Sequence, residues 1–271
     1  MNSGPKVRLK NGAPFGPLMA WKRGDLLGVA QRLMGAFALA LVGVGATFAV
    51  MGVKSVLAPF MIGLAVYVMA GALTDIVERT SLFRAPFTAS VSRARGLPRS
   101  AWGTALAHFG LGVTLLGIVS ETNWSSERIV VVKPNDVVSI NSYDLTFQDL
   151  TQRQGPNYRE LTARFTVKSG GDEIGVLEPS KRTFATRAMS TTEAALLTRG
   201  VSQLYLSLGD LNADGSMAIR LYHKPLVLLI WLGAVVMMLG GLLSLSDRRL
   251  RVGAPKPGAP KPARAALQPA E

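Results

Sequence analysis

Cysteine is missing from all 271 residues, and histidine occurs only twice. The first absence excludes disulfide exchange, thiolate chemistry and Cys-ligated zinc within this chain. Any segment outside a membrane must hold together by burying its own core or by docking on a partner. Charge is also sparse, with 17% of residues Asp, Glu, Lys or Arg. The motifs G-x-x-x-x-G-K, G-x-S-x-G and H-E-x-x-H do not occur, so P-loop ATPase, hydrolase and zincin readings have no support.

What is abundant is apolar sequence, unevenly spread. Mean hydropathy is +0.27, and four stretches without a charged side chain cover 33–53, 55–74, 100–120 and 225–246. Each has about the 20 residues that a bilayer-spanning helix needs. Buried strands of a soluble core would be shorter and bounded by turns. The first stretch begins too late and runs too long for a cleavable signal peptide, and it lacks a small-residue cleavage site. The expected fold is an α-helical polytopic membrane protein of four transmembrane helices, with an inserted mainly-β periplasmic domain at 121–224.

Positive charge sorts by side. Segment 1–32 carries six Lys or Arg against Asp25, and 75–99 carries five against Asp75 and Glu78. The tail 247–271 carries six against Asp247 and Glu271, whereas 121–224 holds twelve of each sign. Basic residues beside spans mark the cytoplasmic face. The expected arrangement is therefore an inner-membrane protein with 1–32, the linker 75–99 and the tail 247–271 cytoplasmic. The net charge of +13 then reports topology, and a nucleic-acid partner has no motivation.

Asp25 reads as an N-cap ahead of LLGVAQRL, and the short GVKS turn between the first two spans forces an antiparallel hairpin. SRARGLPRS is too polar and too marked by Gly and Pro for a long helix, and the Pro/Ala/Gly-rich tail reads as disordered. Within 121–224, runs such as ERIVVVKPNDVVSI and YRELTARFTVKSGG alternate apolar and polar residues, which predicts about six to eight short strands. STTEAALL is expected to form one helical turn behind a Ser/Thr cap. DLNADG at 210–215 matches the start of a calcium loop, but its twelfth position is Leu221 and its flanks read as strands, so a hairpin turn accounts for it. Trp124 and Trp231 lie near span ends, where interfacial anchoring fits.

His108 is the residue that this pattern leaves unexplained. It lies about eight residues, or about 12 Å, into its span, too deep for an interfacial anchor. An imidazole in hydrocarbon needs a partner, so it is expected to face the bundle interior. An interhelical hydrogen bond, an axial bond to haem or another metal, and proton transfer each satisfy it. Gly103, Gly110 and Gly117 form a small-residue stripe on a different face, suited to close helix packing. His223 sits beside Lys224 just outside the last span and needs no special role.

Several stretches together resemble the C-terminal part of the cytochrome c maturation protein F family, the large membrane component of the bacterial haem lyase. They are FGPLMAWKRGD, AHFGLGVTLLGI, GPNYRELTARFTV, LEPSKRTF, TTEAALLTRGVSQLYLSLGD and IRLYHKPLVLLIWLGAVVMMLGGLLSLSDRRLR, in the family's order. The resemblance implies that His108 is one axial, metal-binding ligand of a b-type haem, with the other ligand supplied from an earlier span. It implies covalent haem attachment to apocytochrome c as the process served, without a nucleophile from this chain. It also implies partners: the N-terminal haem lyase portion, a periplasmic haem chaperone, and the subunits presenting apocytochrome c. The family's tryptophan-rich periplasmic segment and its flanking histidines have no counterpart here, so the chain resembles a separate C-terminal subunit or a truncated product. His223 does not match those histidines. A membrane scaffold subunit without haem is the alternative.

Overall fold

A computed structural model describes residues 26–51, 55–184 and 189–247. Helix α1 (Leu26–Met51) and helix α2 (Leu57–Thr80) come first, then a short α3 (Phe87–Gly96), then α4 (Arg99–Trp124). Ten strands follow, and α5 (Leu228–Leu245) closes the described chain. Helices α1, α2, α4 and α5 are long and apolar enough to cross a membrane. The Asp25 cap, the middle of the GVKS turn and the tail beyond Asp247 lie outside the described residues.

The helices outrun their uncharged windows because backbone hydrogen bonding continues where polar residues begin. Helix α2 reaches Thr80, and its last turns are supported by Asp75 and Arg79, spaced i,i+4 at 2.8 Å. It stops where Ser81 turns left-handed at φ 53°. The linker, expected to lack a long helix, contains the ten-residue α3. That helix starts after Pro86, and Leu97 is extended because Pro98 follows it.

Helix α1 packs on α2, α2 on α4, and α4 on α5. Among the described residues the spans thus form an open row with α2 and α4 in the middle, without a closed bundle interior. The α4–α5 seam is the glycine stripe anticipated from the sequence. A Cβ on Gly103 would lie 2.5 Å from the Gly240 carbonyl oxygen, one on Gly110 2.7 Å from that of Gly233, and one on Gly117 2.7 Å from the Ile230 amide nitrogen. The two backbones touch there, as small residues permit. Gly112 serves the other side, where an added Cβ would lie 2.8 Å from Ala65 O on α2.

Both ends of this seam are fastened. Helix α4 has no side-chain cap of its own, and the Ser100 amide instead donates to the Asp247 carboxylate at 3.0 Å, just beyond α5. At the other end the Ser120 hydroxyl donates to Pro225 O at 2.6 Å, and Lys224 pairs with Glu121 at 2.6 Å.

The strands are β1 (Ser126–Val132), β2 (Val137–Ile140), β3 (Tyr143–Gln154), β4 (Tyr158–Ser169), β5 (Asp172–Leu177), β6 (Ser180–Phe184), β7 (Met189–Glu193), β8 (Ala195–Arg199), β9 (Ser202–Leu211) and β10 (Met217–Lys224). All paired strands are antiparallel, in a four-stranded sheet β1-β10-β9-β8 and a six-stranded sheet β2-β3-β4-β6-β7 with β5 beside β4. One core fills the space between them. Leu145, Phe165, Leu206 and Leu221 are fully buried, and Phe147 stacks on Phe165 with centroids 4.9 Å apart. This core is what stands in for disulfides.

The described residues form ten strands where about six to eight were expected. Pro179 interrupts one apparent run, separating β5 from β6, and the expected helical turn at STTEAALL is instead extended. Glu193 pairs with Ser180 of β6, and Ala195 pairs with Leu206 of β9. Ladder hydrogen bonds and β-branched Thr191 and Thr192 outweigh a local capping pattern. Ala194 is the corner that carries the chain between sheets. The DLNADG cluster is the β9–β10 turn, as expected. Asp214 accepts from the Ser216 hydroxyl at 2.6 Å and pairs with Lys133 at 3.1 Å.

Candidate functional site

His108 sits on α4 at a groove formed with its neighbours in the row. Leu33 of α1, Tyr67, Val68, Gly71, Ala72 and Asp75 of α2, and Thr104, Ala105 and His108 of α4 line about 300 Å³. At about 100° per residue, His108 lies about 40° round the helix from Gly112 and about 160° from Gly110. The glycine seam against α5 therefore aims the imidazole towards the α2 side, away from the seam.

The ring is exposed in this chain, which corrects the expectation of an inward-facing residue. The reason is the open row: α4 is flanked on two sides and bare on the others. The expected interhelical hydrogen bond is absent among the described residues. Instead His108 Nδ1 lies 2.8 Å from the Thr104 carbonyl, one turn back on its own helix.

That bond sets the tautomer. A carbonyl only accepts, so Nδ1 must carry the proton, and in the neutral ring Nε2 keeps its lone pair. Among the described residues Nε2 has no hydrogen-bond partner. An imidazole oriented through Nδ1–H to a backbone carbonyl, with Nε2 presented outward, is the usual arrangement of a metal-ligating histidine. Among the described residues, no cluster of three or more His, Cys, Asp or Glu side chains is placed to hold a metal ion. The donor set is one imidazole.

The second histidine belongs elsewhere. His223 is the next-to-last residue of β10, where Asn141 donates its side-chain amide to Nδ1 at 2.6 Å and the Tyr143 ring lies 5.5 Å away. Partial burial lowers its pKa below the ordinary histidine value. It ties the β2–β3 turn to the strand entering α5, a structural role in keeping with its sequence reading. Trp124 packs with the α2–α4 cluster of Ala58, Ile62 and Val119, whereas Trp231 is 71% exposed on α5. Sequence reasoning left Tyr67 and Asp75 out of the site. In sequence Asp75 only follows the uncharged stretch 55–74, and the pairing of α2 with α4 brings it into the same groove as His108.

The β domain supplies the first comparison: residues 123–225 match the family described as CcmF C-terminal beta-sandwich. Beyond it, the cytochrome c-type biogenesis protein CycK of Bradyrhizobium diazoefficiens is 62% identical over 258 residues, which are 95% of this chain and 39% of that protein. The chain closely matches the CcmF family of cytochrome c-type biogenesis proteins. Escherichia coli CcmF is 42% identical over 161 residues, covering 59% of this chain and 25% of that protein. A solved structure of the cytochrome c heme lyase CcmF superposes with a TM-score of 0.61 at 18% identity, covering 91% of this chain and 36% of the other. That likeness concerns the fold alone, and it extends to spans and sandwich together. The chain thus spans about two-fifths of the length of CycK. CycK and CcmF are described as cytochrome c-type biogenesis proteins.

Proposed function

We propose that this chain forms the C-terminal part of the membrane haem lyase of cytochrome c maturation and contributes His108 as one axial ligand of a b-type haem. The observation that carries the reading is the Thr104 carbonyl holding Nδ1–H, which leaves Nε2 free at an apolar groove. A bound b-type haem supplies reversible one-electron chemistry at its iron, tuned by axial ligation and the low-dielectric surroundings.

The groove's size supports a shared site. Its volume of about 300 Å³ is at the lower end of small-molecule sites, and it is open on one side. The second histidine lies at the β domain, so the opposing ligand comes from the portion of the haem lyase that this chain does not cover. The chain's own residues orient the imidazole, exclude water from one side and set the groove wall. In this reading the β domain lies in the periplasm, where a haem chaperone and the subunits presenting apocytochrome c meet the complex. The ends of the chain lie in the cytoplasm.

The test uses this chain co-expressed with the uncovered portion of Bradyrhizobium CycK and purified in mild detergent. A low-spin, bis-histidine b-type spectrum is expected from the complex and lost in His108→Ala. An unchanged spectrum and haem occupancy in that variant would refute the ligand assignment. It would favour a scaffold subunit without haem of its own.

A further inference from the structure

Asp75 lines the His108 groove, and its carboxylate holds Arg79. Both carboxylate oxygens accept from the same atom, Arg79 Nε, at 2.9 and 2.8 Å. Neither terminal amino group of Arg79 donates to a described residue. A guanidinium carries five donors in a planar fork, so Asp75 consumes one and leaves the terminal pair available. Those two groups are the ones that grip a carboxylate side by side.

Depth places Asp75 towards the mouth of the groove, with Arg79 one helical turn further out. His108 is nine residues from the start of α4, about 13 Å along the axis, and Asp75 is five residues from the end of α2, about 7.5 Å. The two helices run antiparallel, with these ends on one side. Asp75 therefore lies about 6 Å nearer the surface than the imidazole. Segment 75–99 is net basic, with five Lys or Arg against two acidic residues. An apolar macrocycle at the level of His108, with acidic groups on one edge, would direct that edge at Arg79.

We propose that Arg79, oriented by Asp75, is the carboxylate-binding residue of the His108 groove and recognises the propionates of the bound haem. The assignment rests on the haem reading of His108. It makes Asp75 a positioning residue, with a carboxylate too fully engaged by Nε to repel the incoming acid strongly. An anionic lipid headgroup offers related chemistry at this depth, and the test separates the two.

The co-expressed complex is prepared from haem-depleted cells and titrated with haem or with haem dimethyl ester, in which the propionates are uncharged. Binding is read from the Soret band. Arg79→Gln is expected to weaken haem binding by about ten- to a hundredfold, the worth of a charge-assisted hydrogen bond or two, while leaving the dimethyl ester unaffected. Arg79→Lys, which keeps the charge and guards against misfolding, is expected to recover part of the preference. Equal effects of Arg79→Gln on both forms, or none on either, would overturn the assignment, and the latter is what a lipid-binding arginine predicts. His108→Ala is expected to abolish the low-spin spectrum with both forms, so failure of the haem reading appears separately.

Discussion

Substituting Gly110 by alanine tests the seam that aims His108. The new Cβ would lie 2.7 Å from Gly233 O, 2.8 Å from the Met237 amide nitrogen and 3.0 Å from Met237 Cγ. Two of these atoms are backbone, so rotamer changes cannot relieve the overlap. A Cβ added at Gly233 would likewise lie 2.5 Å from Gly110 O, so the two backbones are in contact from both sides. The helices must part, at the cost of about 1–3 kcal/mol typical of overpacking. Alanine also raises helix propensity by about 1 kcal/mol, which would mask part of the loss. Gly241→Ala on α5 provides the correction, since nothing lies within 4 Å of its Cβ position. Both changes occur inside helices, so the propensity gain cancels in their difference, leaving about 1–3 kcal/mol. The assay is unfolding of the full chain in mixed micelles, read by tryptophan fluorescence. Equal stabilities of the two variants would refute the close-packed seam, and with it the argument for how His108 is directed.

Two further outcomes concern the ends of the spans. Asp247→Ala removes the acceptor for the Ser100 amide and is expected to cost about 1 kcal/mol, as loss of a helix cap does. Asp247→Asn, which keeps an acceptor oxygen, is expected to lose less than Asp247→Ala in the same unfolding assay. His223 gives a pH dependence. Its folded pKa lies below the ordinary value of 6.5, so the folded state resists protonation more than the unfolded state does. Its contribution is complete above about pH 6.5 and declines as pH falls from there towards the folded pKa. Protonation would also set Nδ1–H against the Asn141 amide donor. Melting of the full chain should therefore drop between pH 7.5 and 5.5, and His223→Gln should flatten that dependence.

Of the residues lining the groove, His108 was singled out from sequence alone because membranes impose strong rules. Lipid offers no hydrogen bonds, so a lone imidazole among apolar residues had to have a purpose. The seven-residue spacing of Gly103, Gly110 and Gly117 marked a packing face without reference to its partner. The β domain was legible in type and less so in detail. STTEAALL carries a helix-start pattern, and only strands β6 and β9 beside it make it extended. Asp75 escaped notice because the residues that share its groove on α4 are distant in sequence.

The linear chain determined four spans, a β-rich insertion and the singular status of His108, since hydropathy runs, alternation and composition act locally. The tertiary structure decided that the helices stand in an open row and that the imidazole is fixed by its own helix. It also decided that the groove gathers Tyr67, Asp75 and His108 on one face. Those outcomes depend on which helix faces which. Backbone contact at the glycine seam sets the rotation of α4, and no periodicity within a single segment specifies its partner.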